Sequence, residues 1–275
     1  MSQLPGPIGI FDSGYGGLTV FKEIVERLPE YDYVYFGDNA RAPYGIRSFD
    51  TIYKYTLECV RHLFNQGCHL VILACNTASA KALRTIQQHD LPAYGPDYRV
   101  LGVIRPTTEI IGALTTSKKI GVMATAGTVQ SQSYVLEINK FFPEVDVFQQ
   151  ACPMWVPLIE NNEHEGPGAD FFVEKYVREL LAQSPEIDTI VLGCTHYPLM
   201  MQKIRQFVPR HIRLLAQGEI VAERLVDYLH RHPELERWCS KAGQTRFFTT
   251  ETPENFDNRA ALFFGAALRS QHFEL

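Results

Sequence analysis

The 275-residue sequence has no apolar run approaching the roughly 20 residues needed to cross a bilayer. Its opening, Met1-Ser2-Gln3-Leu4-Pro5-Gly6-Pro7, lacks the basic stretch and apolar core of an export signal. A cytoplasmic protein with no membrane partner is therefore expected. There is no C-x-x-C pair, and the six cysteines are scattered, so neither a zinc ribbon nor a disulfide framework fits. Free thiols and no metal are expected. Excess basic charge is also missing: 26 Lys and Arg against 31 Asp and Glu leave a net charge of −5. That argues against a nucleic-acid surface. Two nucleotide signatures are absent as well. After Gly14-Tyr15-Gly16, Thr19 stands where a dinucleotide fingerprint has its third glycine, and no Gly-Lys-Ser/Thr follows to make a P-loop.

What is present is an alternation of short apolar runs and longer amphipathic stretches. Residues 8–11, 33–36, 70–74, 100–103, 120–123, 145–148 and 189–192 read as buried strands, and 245–249 is strand-like. Residues 18–28, 51–64, 171–181, 220–229 and 258–268 carry helical periodicity. Strands with little internal polarity, separated by helices, predict an α/β fold with parallel sheets covered on both faces. A faint internal repeat divides it. Ile8-Gly9-Ile10-Phe11 parallels Ile120-Gly121-Val122-Met123, and residues 70–75 parallel residues 189–194, each ending in a small residue and a cysteine. Two pseudo-symmetric doubly wound domains are expected. The first is formed by 1–98 and 214–275 and the second by 99–213, with the active site between them. Ligands in such sheets bind at the carboxyl ends of the strands.

The chemistry-bearing residues fall at those ends. Cys75 and Cys194 each close a strand and open a helix, where free N–H groups and the helix dipole are expected to lower a thiol pKa. The alternative for such a pair is two small buried side chains. A metal site using His196 is the other reading, but the C-x-H spacing is not a usual zinc pattern. Asp12-Ser13 opens the glycine-rich loop after the first strand, and an acid beside a hydroxyl there suggests ligand binding. Asn76-Thr77 and Thr195-His196 are donors suited to a carboxylate. Asp38 with Pro43-Tyr44-Gly45 reads equally as a turn or a functional loop, and Glu160 alone as a surface acid. Cys59, Cys68, Cys152 and Cys239 read as structural.

Taken together and in order, Asp12-Ser13-Gly14-Tyr15-Gly16-Gly17, Tyr35-Phe36-Gly37-Asp38 with Pro43-Tyr44-Gly45, Ala74-Cys75-Asn76-Thr77-Ala78-Ser79, Ala151-Cys152-Pro153 through Glu160, and Gly193-Cys194-Thr195-His196-Tyr197-Pro198 resemble the glutamate racemases. These belong to a cofactor-independent Asp/Glu racemase family. The resemblance runs from Ile8 to about Gly265. It implies that Cys75 and Cys194 are two catalytic bases, Cys75 taking the proton from D-glutamate and Cys194 from L-glutamate. It implies that Asp12, His196 and Glu160 assist proton transfer, and that Ser13, Tyr44, Gly45, Asn76, Thr77 and Thr195, with Asp12 and His196, contact glutamate. It further implies no cofactor, a homodimer, and a role in supplying D-glutamate for peptidoglycan. Aspartate or hydantoin racemisation, a non-catalytic binding protein, and a thiol hydrolase are the competing readings. Two departures from the family pattern stand out: Arg105 replaces a usual glutamate, and Ala216-Gln217 replaces Asp-Ser. Both are expected to affect hinge or interface details.

Overall fold

The computed structural model describes residues 4–275. Its strands are β1 (Ile8–Asp12), β2 (Tyr33–Gly37), β3 (Leu70–Leu73), β4 (Arg99–Gly102), β5 (Lys119–Ala124), β6 (Asp146–Ala151), β7 (Thr189–Gly193), β8 (Arg213–Leu215), β9 (Thr245–Thr249) and β10 (Ser270–His272). They form a six-stranded sheet, β10-β9-β2-β1-β3-β4, and a four-stranded sheet, β6-β5-β7-β8. Every pairing is parallel.

The near-continuous apolar runs follow from burial on both faces. In the first sheet, Ile8, Ile10, Tyr33, Tyr35, Leu70 and Ile72 share one core with the helix Leu18–Arg27. The alternate residues Phe11, Val34, Phe36, Val71 and Leu73 enter a second core with the helix Phe49–Asn65. A fully buried side chain of this size contributes roughly 1.5–3 kcal/mol, so a strand with both faces covered has no position at which polarity is cheap. The first core continues into the second sheet through Met123, Ile190 and Leu192.

The internal repeat is real in register as well as in sequence. Gly9 pairs with Val71 and Ile10 with Ile72, while Gly121 pairs with Ile190 and Val122 with Val191. The order β2-β1-β3-β4 thus recurs as β6-β5-β7-β8.

Three expectations need correction. Residues 99–102 pair with Leu70–Leu73, so β4 completes the first sheet. The chain crosses to the second sheet after Gly102 rather than at residue 99. It returns after Leu215, because Arg213–Leu215 pairs with β7. The helix Gly218–Arg231 then packs on Leu18–Arg27. Finally, the last helix is Pro253–Phe264, starting and ending earlier than its periodicity suggests. Pro253 suits the first helical turn, and Gly265, at φ +82°, stops the helix by donating its N–H to the Ala261 carbonyl at 2.9 Å. β8 and β10 escaped notice because each is a three-residue edge strand with polar, exposed positions.

Candidate active site

The loop after β1 is shaped by contact with the other half. A Cβ on Gly16 would stand 2.3 Å from His196 Nδ1 and 2.4 Å from Thr195 Oγ1. Only glycine permits that approach. Across the same seam, Thr19 Oγ1 donates to the Thr195 carbonyl at 2.8 Å. Gly16 therefore serves the meeting of the two halves. Asp12, at the end of β1, is buried and accepts the Gly14 N–H through Oδ2 at 2.9 Å. Burial raises its pKa above the ordinary 3.8; nearby His196 and the Gly17 and Gly14 N–H groups oppose that rise without cancelling it.

Cys75 ends β3 and caps the helix Asn76–Lys81, its Sγ accepting from Ala78 N–H at 3.4 Å and lying 3.3 Å from Ser13 Oγ. The expected lowering of its pKa does not occur. Burial, with the Asp12 carboxyl beside it, pushes the thiol up to about 12, outweighing the Ser13 and Ala78 hydrogen bonds. Cys75 is a thiol at neutral pH.

Cys194 ends β7, in the position of the second half that Cys75 holds in the first. Its Sγ lies 3.9 Å from His196 Nδ1, and His196 Nε2 lies 3.0 Å from Glu160 Oε1. Burial alone would depress the imidazole. Hydrogen bonds to Cys194 and Glu160 win, and raise it to about 10. A protonated His196 is thus placed between a carboxylate and the Cys194 sulfur, where its positive charge can balance a negative sulfur. Glu160 closes the helix Trp155–Glu160 and is no free surface acid.

The two cysteines open into one cavity of about 140 Å³. Ser13, Tyr44, Gly45, Asn76, Thr77, Glu160, Thr195 and His196 also line it, so the structure brings these expected residues together. Asp12 is the exception: it lies behind the wall, not in it. A cavity near 150 Å³ admits benzene, so this one suits a small metabolite and not a nucleotide. Among the described residues, no Lys or Arg lines it. Apart from the protonated His196, an anionic ligand would be held by neutral donors, and one stands ready. Asn76 Oδ1 accepts from the Tyr134 hydroxyl at 2.8 Å, while its buried Nδ2 has no partner. Asp12 Oδ1 is likewise buried and unpartnered. Orphaned buried polar atoms are costly unless a ligand satisfies them. Tyr44 enters the wall with its hydroxyl bonded to Asp38, which Arg41 and Thr250 also hold, at 2.7 and 2.9 Å. Among the described residues no group of three or more His, Cys, Asp or Glu is arranged to hold a metal ion.

Several lining residues were missed. Thr125 bonds Thr77 Oγ1 at 3.0 Å and caps the helix Ala126–Ser131. The internal repeat could have found it, since Thr125 follows β5 as Ser13 follows β1. Cys152, read as structural, lies in the wall with Pro153, Val156 and Pro157. Its burial holds that thiol well above the usual range. Of the two departures, Arg105 stays outside, paired with Glu109 at 3.0 Å and set over the Phe141 ring.

The Asp/Glu/Hydantoin racemase family model matches residues 8–225. The glutamate racemase of Geobacter metallireducens is 40% identical over 262 residues, covering 95% of this chain and 93% of that protein. Among solved structures, glutamate racemase isoform RacE1 from Bacillus anthracis superposes with a TM-score of 0.88 at 31% identity, covering 98% of both chains. The glutamate racemase from Francisella tularensis, in complex with D-glutamate, gives 0.86 at 30% identity, again over 98% of both. A cleft with one strand-end cysteine from each half, and similarity over nearly the whole chain, agree: the chain belongs to the Asp/Glu/Hydantoin racemase family.

Proposed function

We propose that this chain interconverts L- and D-glutamate by proton transfer between Cys75 and Cys194, with no cofactor. The observation that carries the reading is the pair itself: two thiols from two sheets, opening into one small cavity, each with its own polar partners. Inversion at Cα needs a base on one face and an acid on the other. Cys75, resting as the thiol, supplies a proton, and Cys194 beside a protonated His196 accepts one. Transfer in this direction serves L-glutamate; for D-glutamate the roles reverse. Charge developing toward the α-carboxylate is met by the donors Asn76, Thr77 and Thr195. Asp12, behind the wall and near both Cys75 and His196, tunes the transfer from a distance.

The two sheet-centred halves act as domains that close over the substrate and exclude water. The chain works in the cytoplasm as a homodimer and supplies D-glutamate for peptidoglycan. Support for the substrate comes from the glutamate racemases it resembles and from a cavity with neutral carboxylate donors. The test is direct. Dialysed protein is incubated separately with L-glutamate, D-glutamate and L-aspartate, without pyridoxal phosphate or metal, and circular dichroism is followed. Loss of signal from both glutamate enantiomers, with little from aspartate, is expected. Activity that appears only on adding a cofactor, or only with aspartate, would overturn the reading.

A further inference from the structure

Asn76 is a donor to a bound carboxylate only in one orientation of its amide. Rotated by half a turn, it would present Oδ1 to the ligand and repel it. Its orientation is set from the other half of the molecule. The Tyr134 hydroxyl, on the helix Ser133–Phe141, donates to Asn76 Oδ1 at 2.8 Å and so leaves Nδ2 as the unpartnered donor of a residue that lines the cavity. Tyr134 is itself wedged: a Cβ on Gly193, the residue before Cys194, would lie 3.1 Å from its Cε2 and 3.2 Å from its hydroxyl. Gln217 lies beside the same hydroxyl and is buried at the point where the chain returns to the first half. Its Nε2 donates to the Val103 carbonyl and to Thr107 Oγ1, both at 3.0 Å, on the outgoing crossing. Gln217 therefore ties the two inter-sheet crossings to each other beside Tyr134.

We propose that Tyr134 is a positioning residue that holds Asn76 as a carboxylate donor across the seam between the halves, and that Gln217, by tying the two crossings together, keeps that seam closed. The consequence is conditional binding. Separation of the halves breaks the Tyr134–Asn76 bond and frees the amide to turn, so the carboxylate site is complete only when the halves are together. The departure at Gln217 has its explanation here: a serine is too short to reach from the return crossing to both Val103 and Thr107, whereas glutamine spans them.

The inference rests on glutamate as substrate, and the test separates the two. Wild-type protein must first racemise glutamate; failure there removes the functional reading alone. Tyr134→Phe, Asn76→Ala and the double variant are then compared by kcat/KM for both enantiomers, with thermal unfolding measured alongside. Tyr134→Phe is expected to lower kcat/KM about ten-fold, near the worth of one buried hydrogen bond. In the Asn76→Ala background the same change should have almost no further effect, because the group it positions is gone. A merely structural role would give the same ten-fold loss in both backgrounds. Gln217→Ser gives a second cycle with Asn76→Ala, which stands if Tyr134→Phe unfolds. A several-fold loss that disappears without Asn76 supports the proposal. Additive losses in both cycles, or no loss from either single variant, would overturn it.

Discussion

Glu160→Gln isolates the electrostatic part of the site. The substitution preserves shape and removes one negative charge 3.0 Å from His196 Nε2. His196 is buried, and Glu160 is mostly so, with 22% of its side chain exposed. The lost interaction is a hydrogen bond between charged partners, worth roughly 1.5–3 kcal/mol. At about 1.36 kcal/mol per pH unit, the imidazole midpoint should fall by roughly one to two pH units. In the wild-type protein His196 should stay protonated up to about pH 10. The assay is an NMR titration of ¹³C-labelled histidine, with the His196 signal among the nine identified by its loss in His196→Asn. Stability carries the same signature. The folded midpoint lies above the unfolded value of about 6.5, so the ion pair's contribution is complete below that pH and is lost as pH rises toward 10. The variant's stability deficit should be full at pH 6 and shrink in base. A wild-type midpoint near 6.5, or one that Glu160→Gln leaves in place, would refute the reasoning.

Other expectations follow from the same geometry. Cys75→Ala and Cys194→Ala should each reduce racemisation by at least about 10²–10⁴-fold, as loss of an acid or base does, read by circular dichroism. Asp12→Asn should lower kcat with little change in KM, since Asp12 lies behind the cavity wall. The same variant should melt at a higher temperature at pH 7–8. A carboxyl whose folded pKa is raised loses stability for the protein as pH climbs from the unfolded value through the folded one, and asparagine removes that loss. Gly16→Ala forces a Cβ to 2.3 Å from His196 Nδ1. It should displace the Thr195-His196 turn and cost about 10²-fold in turnover, together with roughly 1–3 kcal/mol of stability.

The sequence disclosed most where burial leaves little choice. Strands β1, β3, β5 and β7 read correctly because both of their faces are covered, and Cys75 and Cys194 stood out because each breaks such a run at its carboxyl end. What it hid depends on contacts between distant segments. Nothing near Cys75 in the chain announces that burial outweighs its helix cap. That balance is set by the packing around it and by Asp12, which arrives from another strand. Glu160 reads as a surface acid until the fold sets it against His196. Tyr134 carries no motif, and its importance lies only in whom it touches, while Gln217 stands out in the sequence only as a departure from the family pattern. The crossing after Gly102 was misplaced by one strand, because an edge strand such as β4 has the same composition whichever sheet it joins.

The central claim is that two thiols act on opposite faces of one carbon, and isotope incorporation tests it most directly. L-glutamate is incubated with the protein in D₂O, and both enantiomers are recovered early in the reaction for mass spectrometry. The account predicts deuterium at Cα of the D-glutamate formed and almost none in the L-glutamate remaining, because the acid that delivers from one face is not the base that withdrew from the other. Starting from D-glutamate should give the mirror result. Deuterium appearing equally in substrate and product from the start would mean that a single group serves both faces, and would contradict the account.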